Sequence, residues 1–258
     1  TGMSPIIEHP DIARTLLTMK ALTQGSRAIS FSCAHAIDMS HAKNDSTERK
    51  FWQERAALLT PIAKSFSTDA GVDVASLGIQ VHGGMGFIEE TGAARYLRDA
   101  RIAPIYEGTN GIQAIDLVTR KLPLSEGAQV RGFIAELKEQ AEAVKASNKP
   151  ELGETARYLD QSITDLEDAT EWLLSALAKG DTAAALAGAT PYQRLFGLAL
   201  TGVYLAKGAL ASVDDGQGTN RLALCRFTAE NLLAETSALK DRVIAGAASL
   251  EAARAVLA

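Results

Sequence analysis

Residues 152–177 read LGETARYLDQSITDLEDATEWLLSAL, and in that run Leu152, Ala156, Leu159, Ile163, Leu166, Thr170, Leu173 and Leu177 recur at alternating spacings of four and three. Such spacing keeps one apolar seam on one side of a helix, the pattern of a helix bundle. Gly180 and Asp181 then supply a C′ glycine and an N-cap. Upstream, Phe133, Leu137, Ala141 and Val144 mark the inner face of a helix from about Ser125 to Ala146, stopped by Asn148-Lys149-Pro150. Downstream, a helix from about Asp181 to Ser212 is interrupted at Thr190-Pro191. Its Gly197, Gly202 and Gly208 predict close contact with a neighbour. A turn over 214–218 leads to a last helix, Thr219 to about Gly246.

The first half is also helical. His9-Pro10-Asp11 opens a long helix with proline at its first position, and Ile12, Leu16, Met19, Leu22, Ile29, Cys33 and Ile37 predict its buried face. Gly25 in its middle marks a close approach by another element. A second helix starts near Glu48, and Thr60-Pro61 reads either as a new start or as a kink. Ile62, Phe66, Ala70, Val74, Leu77 and Val81 continue an apolar stripe. A short helix over 92–101 follows, with Thr91 as its cap. A further helix is capped by Thr109 and buries Ile112, Ile115 and Val118. No strand and no internal repeat is read, so the fold class is all-α.

Composition agrees. Aromatic residues are 5% of the 258, against 47% hydrophobic and 22% charged, so the core rests on Leu, Ile, Val and Ala. A net charge of −5 with no basic cluster argues against nucleic acid. Cys33 and Cys225 have no CxxC partner, which fits a reducing compartment and predicts a cytoplasmic location. The apolar run Leu195–Ala206, bounded by Arg194 and Lys207, is too short to span a bilayer. The start, Thr1-Gly2-Met3-Ser4-Pro5, lacks the regions of a signal peptide and reads as the start of a piece of a longer protein.

Two loops carry the candidate chemistry. Gln80-Val81-His82-Gly83-Gly84-Met85-Gly86-Phe87 starts like GxGxxG but fails at the last glycine, and it follows a helix rather than a strand. Its spacing fits a backbone that lets a phosphate, ribose or adenine approach, and equally a tight turn requiring positive φ. The second loop, Ile105-Tyr106-Glu107-Gly108-Thr109-Asn110-Gly111-Ile112-Gln113, places Glu107 just before a helix N-terminus. The helix dipole favours its charged form, and a substrate that buries it works the other way. That balance suits a general base, and a simple dipole-complementing glutamate fits the spacing as well. His35 and His41 lie on different sides of a helix, and neither HExxH nor GxSxG occurs, so no metal site is expected.

These two loops, with Leu97-Arg98-Asp99-Ala100-Arg101 between them, resemble in order and spacing the C-terminal helical domain of acyl-CoA dehydrogenases. The resemblance covers about residues 5–122. The later helices look like the extra C-terminal domain of longer members, and Ile6-Ile7-Glu8-His9-Pro10-Asp11 is similar to the 3-methylmercaptopropionyl-CoA dehydrogenase type. The resemblance implies FAD-dependent α,β-dehydrogenation of an acyl-CoA thioester to the 2-enoyl-CoA. Glu107 would be the α-proton base, its own N–H helping to polarise the thioester carbonyl, with Tyr106 and Gly108 lining the substrate. Thr109, Asn110 and Gly111 would contact FAD, and Gln80, Val81, His82, Gly83 and Gly84 would contact the FAD of a neighbouring subunit.

The same resemblance implies a homodimer or homotetramer, with an electron-transfer flavoprotein as a possible acceptor. Two domains are expected, 1–122 and 123–258. Because the family's N-terminal helical domain and β-barrel are not in this sequence, the chain is expected to be a fragment, inactive alone. The competing expectation is a non-catalytic helical oligomerisation or adaptor module derived from that family.

Overall fold

The computed structural model describes residues 4–211 and 216–257, so the first two residues of the turn expected at 214–218, the end of the helix expected to reach Ser212, and the start Thr1-Gly2-Met3 lie outside the described residues. Every regular element among the described residues is helical, as expected. The chain opens with two long helices, α1 (Pro10–Ala42) and α2 (Ser46–Val81), joined by a tight connection. They pack along one another. Asp45 caps α2 by accepting from the Thr47 and Glu48 amides at 3.0 and 2.8 Å, which is why the chain can turn back so abruptly. α2 does not restart at Pro61. Pro61 sits inside one continuous helix, and Thr60 Oγ1 donates to the Ala56 carbonyl one turn back at 2.7 Å.

Short helices α3 (Gly84–Phe87), α4 (Ala93–Ala100) and α5 (Asn110–Asp116) follow. Gly92, at φ 75°, precedes α4. Thr91 does not cap it: its hydroxyl donates instead to the Met85 carbonyl at 2.7 Å, closing the loop behind α3. α5 runs into a π-helical turn, Leu117–Lys121, closed by Leu122 N to Leu117 O at 2.9 Å. The predicted faces of α1 and α5 are partly wrong. Ile37, Ile112 and Ile115 are exposed, while Ala36, Ala114 and Leu117 are buried in their place.

The second half begins at α6 (Ala128–Ala146), later than expected because Ser125 and Glu126 adopt left-handed backbone conformations. α7 (Thr155–Ala178) carries the seam, with Leu159, Ile163, Leu166, Thr170 and Leu173 all buried. Leu152 is buried too, in a 3-10 turn ahead of the helix. Gly180 at φ 77° and Asp181, accepting from Ala184 N at 3.1 Å, form the expected stop and start. The break that follows lies at Gly188, between α8 (Thr182–Ala187) and α9 (Ala189–Leu210), so Pro191 falls in the first turn of α9, where its missing N–H costs nothing. The last predicted helix is also divided, into α10 (Gly218–Asn231) and α11 (Thr236–Ile244), followed by α12 (Ala248–Ala253). The break brings Thr236 and Ser237 hydroxyls onto the buried Asp165 carboxylate of α7, at 2.9 and 2.8 Å, with Lys240 Nζ at 3.1 Å.

The Leu195–Ala206 run belongs to α9, the centre of the molecule. One side meets α1, α2 and α5, and the other meets α6, α7, α10 and α11. A helix covered on all sides is apolar all round, which is why that run is so strongly apolar although it is too short to span a bilayer. No helix among the described residues is long and apolar enough to cross a membrane. The buried residues of residues 10–122 and of the later helices form one continuous core. Three of the predicted close approaches occur here. A Cβ on Gly25 would overlap Thr201, one on Gly197 would overlap the Phe66 ring, and one on Gly202 would overlap Leu233, whereas Gly208 meets no neighbour.

Candidate functional site

The two loops chosen from sequence both hang from α2, at different levels. The second is fastened to its middle by Lys64, Ser65, Thr68 and Asp69. The first begins at its end, eleven residues beyond Asp69 and so about 16 Å farther along the axis. The structure therefore orders each loop but does not merge them into one pocket.

In the first loop Gly83 has φ 61°, and Gly86 lies so close to the Ile79 carbonyl that a Cβ would collide with it. Two of the three glycines thus answer to the turn itself. Gly84 does not: a Cβ there would meet nothing within 4 Å. Gln80 and His82 are exposed, and Val81 is half-buried. His82 Nδ1 donates to the Gly78 carbonyl at 2.7 Å, which leaves Nε2 on the exposed side of the ring. Beside this loop, Met19, Val74, Ala75, Ala93, Tyr96 and Ala100 line an open, largely apolar cleft of about 420 Å³ between α1, α2 and α4.

Glu107 is exposed on the second loop, at φ 50°. A non-glycine residue there is uncommon and strained, and such conformations persist when the surroundings fix them. Gly108 follows at φ 86°. The Asn110 amide closes the loop onto the Pro104 carbonyl at 3.0 Å. Gln113 Nε2 reaches the Glu107 carbonyl at 3.4 Å, and Lys64 Nζ donates to the Gly108 carbonyl at 2.8 Å. Thr109 caps α5 as expected, accepting from Ile112 N at 3.4 Å. Among the described residues, no hydrogen bond takes up the N–H of Glu107 or of Gly108.

Asn110 faces inward, away from the exposed side on which Tyr106, Thr109 and Gly111 lie. Its Nδ2 donates towards Asp69 Oδ1 at 2.7 Å, Thr68 Oγ1 at 3.0 Å and the Ser65 carbonyl at 3.1 Å, while its Oδ1 accepts from Lys64 Nζ at 2.8 Å. Burial of the inner side of Asp69 pushes its carboxyl above the ordinary range, and the Asn110 hydrogen bond opposes that shift. Lys64, Ser65, Thr68 and Asp69 were missed in the sequence. Their signal is a polar stripe at i, i+4 beside the apolar stripe of Ile62, Phe66 and Ala70.

Around both loops lies a broad exposed apolar surface: Met85, Phe87, Tyr96, Ile102, Ile105 and Ile112, with Phe87 81% and Tyr96 74% accessible. Patches of that kind mark interaction surfaces.

Two family profiles match the sequence, "Acyl-CoA dehydrogenase, C-terminal domain" over residues 1–122 and "Acetyl-CoA dehydrogenase C-terminal like" over 128–254. The 3-methylmercaptopropionyl-CoA dehydrogenase of Ruegeria pomeroyi is 39% identical over 247 residues, which cover 93% of this chain and 41% of the relative. A butyryl-CoA dehydrogenase of Syntrophomonas wolfei is 36% identical over 132 residues, 51% of this chain and 22% of that protein. Among solved structures, Caenorhabditis elegans ACDH-11 in complex with C11-CoA superposes with a TM-score of 0.68 at 23% identity, covering 85% of this chain and 36% of that one. An acyl-CoA dehydrogenase from Bacillus anthracis complexed with FAD gives 0.66 at 17% identity, covering 94% and 43%. These structures share the fold. The chain spans less than half the length of each relative.

Proposed function

Because the chain belongs to the acyl-CoA dehydrogenase family and matches its C-terminal portion, we propose that it supplies the catalytic-base side of an FAD-dependent acyl-CoA dehydrogenase. In this reading Glu107 takes the α-proton of an acyl-CoA thioester as the 2-enoyl-CoA forms. The observation that carries it is the pairing of an exposed carboxylate with unused main-chain donors. Glu107 is held at φ 50° beside its own free N–H and that of Gly108. A thioester carbonyl oxygen seated on those donors gains oxyanion-type stabilisation, which makes its α-proton acidic enough for a carboxylate to remove.

Bound FAD supplies the hydride acceptor for Cβ. The chain's exposed groups fit a flavin nucleotide's polar edges: the Thr109 and Gly111 side of the second loop, and Gln80, the outward Nε2 of His82 and the open space at Gly84 on the first. Asn110 is assigned to holding the loop rather than to touching FAD through its side chain, because that amide is taken up by α2. Tyr106 and Gly108 line the substrate side. The separation of the two loops along α2 favours their serving different subunits. The exposed apolar surface around them, centred on Phe87 and Tyr96, supports self-association as a homodimer or homotetramer. The division into domains 1–122 and 123–258, and an electron-transfer flavoprotein as acceptor, belong to the same proposal.

The test uses the complete polypeptide carrying this region, loaded with FAD. Glu107→Gln is expected to retain the flavin and to lose reduction of that flavin by butyryl-CoA or 3-methylmercaptopropionyl-CoA. An unchanged reduction rate in this variant would remove Glu107 from the chemistry and favour the adaptor reading.

A further inference from the structure

Resting on the reading of Glu107 as the base, we infer that Lys64 of α2 is a positioning residue that sets the base loop, acting through Asn110 and the Gly108 carbonyl. Its ammonium donates to Gly108 O and to Asn110 Oδ1, each at 2.8 Å, so one charge grips the chain on both sides of Thr109. The grip is directional. Asn110 turns its amide nitrogen to Asp69, Thr68 and the Ser65 carbonyl, so its oxygen is left facing Lys64. Rotating the amide by half a turn would set two cationic or N–H donors against each other and an oxygen against the Asp69 carboxylate. The Lys64 and Asp69 charges, five positions apart along α2, thus fix which way Asn110 points.

This polar set has a mechanical task. Glu107 occupies a left-handed backbone region that is strained for a residue with a side chain, and Gly108 follows in a conformation that favours glycine. Loops in such states relax unless something over-determines them. Here the restraints are the Asn110 amide on Pro104 O, Gln113 on Glu107 O and Lys64 on Gly108 O. Of the three, the Lys64 bond is the shortest and the only one made by an ionised donor, the kind about twice as strong as a neutral pair. It also draws the Gly108 carbonyl towards α2. A carbonyl held there lies on the side opposite its peptide's N–H, and that peptide's donor is the one at Thr109. The preceding peptide is held separately, by Gln113 on the Glu107 carbonyl.

Lys64 lies two residues from Phe66, whose ring packs on Gly197 of α9. The clamp therefore stands on the part of α2 that the central helix holds rigid.

The experiment has two arms. Amide hydrogen exchange at Ile105, Tyr106 and Asn110, the hydrogen-bonded amides of the loop, is measured in the chain itself, comparing Lys64→Met and Lys64→Arg with the parent. Flavin reduction by saturating butyryl-CoA is measured in the FAD-loaded complete polypeptide, normalised to bound flavin, with Glu107→Gln as reference. Lys64→Met is expected to raise exchange at least about tenfold and to slow reduction by about 10- to 100-fold, as a misplaced base does. The acyl-CoA dissociation constant should stay within about threefold, since the carbonyl donors remain. Lys64→Arg should recover part of the rate, and it serves as the variant if the methionine substitution does not fold. Unchanged exchange overturns the inference outright. Raised exchange with a parental reduction rate, where Glu107→Gln is dead, overturns the positioning role alone. A fully active Glu107→Gln overturns the base assignment and leaves the exchange arm to judge the clamp.

Discussion

Arg55 of α2, 5% exposed, meets Glu136 of α6 through two hydrogen bonds, Nη1 to Oε2 at 2.9 Å and Nη2 to Oε1 at 2.6 Å. The same guanidinium lies over the Phe133 ring, 4.2 Å from its centroid. This contact ties the helical pair α1–α2 to the later helices by three kinds of interaction at once: a charge pair, a bidentate geometry and a cation–π contact. The two ends are unequal, since Glu136 keeps about half its side-chain surface in water. Arg55→Ala is expected to cost about 2–4 kcal/mol, and Glu136→Ala about 1–2 kcal/mol, because solvent reaches the second site. Arg55→Lys should behave like the alanine variant more than the parent, a single ammonium having no fork. Urea midpoints of the three variants check the order. Equal losses for Arg55→Ala and Glu136→Ala would mean the aromatic contact contributes nothing.

Gly25 and Thr201 define the closest approach of α1 to α9. A methyl group at Gly25 would overlap the Thr201 side chain on the buried, central helix. Gly25→Ala improves helix propensity yet overpacks the contact, and the second effect wins by about 1–3 kcal/mol. In a Thr201→Ala background the added methyl has room, so the same substitution should cost much less. A double-mutant cycle by chemical denaturation reads the difference, and additive losses would contradict the overlap.

The seam of α7 was legible because five of its residues face a core on one side only, where spacing translates directly into burial. α9 was legible as apolar but not as central, since a sequence run does not say what surrounds it. The inner faces of α1 and α5 were read too simply. Ile112 and Ile115 recur at helical spacing, yet Ala114 and Leu117 turn inward, because the loop closure at Pro104 and the Thr109 cap fix how α5 meets its neighbours. Asn110 was legible as part of a motif but not in its orientation. Its partners lie on α2, more than forty positions earlier, and only tertiary packing brings them together. The same reason hid Lys64: alone in a sequence it is one more surface lysine.

Burial pushes the Cys225 thiol up to about 12 from its usual 9.0, and pushes the phenol of the fully buried Tyr192 up as well. For a group whose folded value is raised, the neutral form is the one the fold accommodates. The stability it carries is complete below its unfolded value and is lost as pH rises towards the folded one. The chain is therefore expected to lose stability between about pH 9 and 12, Cys225 alone setting a slope of about 1.4 kcal/mol per pH unit there. Cys225→Ala should be less stable near neutrality by about 1 kcal/mol for the space it opens, and its alkaline slope should be shallower. Urea titrations at several alkaline pH values check this, and parallel slopes would show that the thiol stays out of the linkage. Native Cys225 should also resist alkylation until the chain unfolds.

Glu107 carries a cost that its neighbours do not share. Its φ of 50° is one that glycine adopts freely, and its side chain is exposed, so nothing in the packing of this chain needs a glutamate there. Glu107→Gly should remove the strain while leaving the bonds to its carbonyl and to that of Gly108 intact. Against this gain stands the greater freedom of glycine in the unfolded chain, which offsets part of it. The net expectation is a stability equal to the parent or higher by up to about 1 kcal/mol. Activity in the FAD-loaded complete polypeptide should be lost, as for Glu107→Gln. Thermal denaturation and flavin reduction measured on the same preparations separate the two effects. A variant markedly less stable than the parent would mean that the carboxylate supports the fold, and the strain would then have a structural cause.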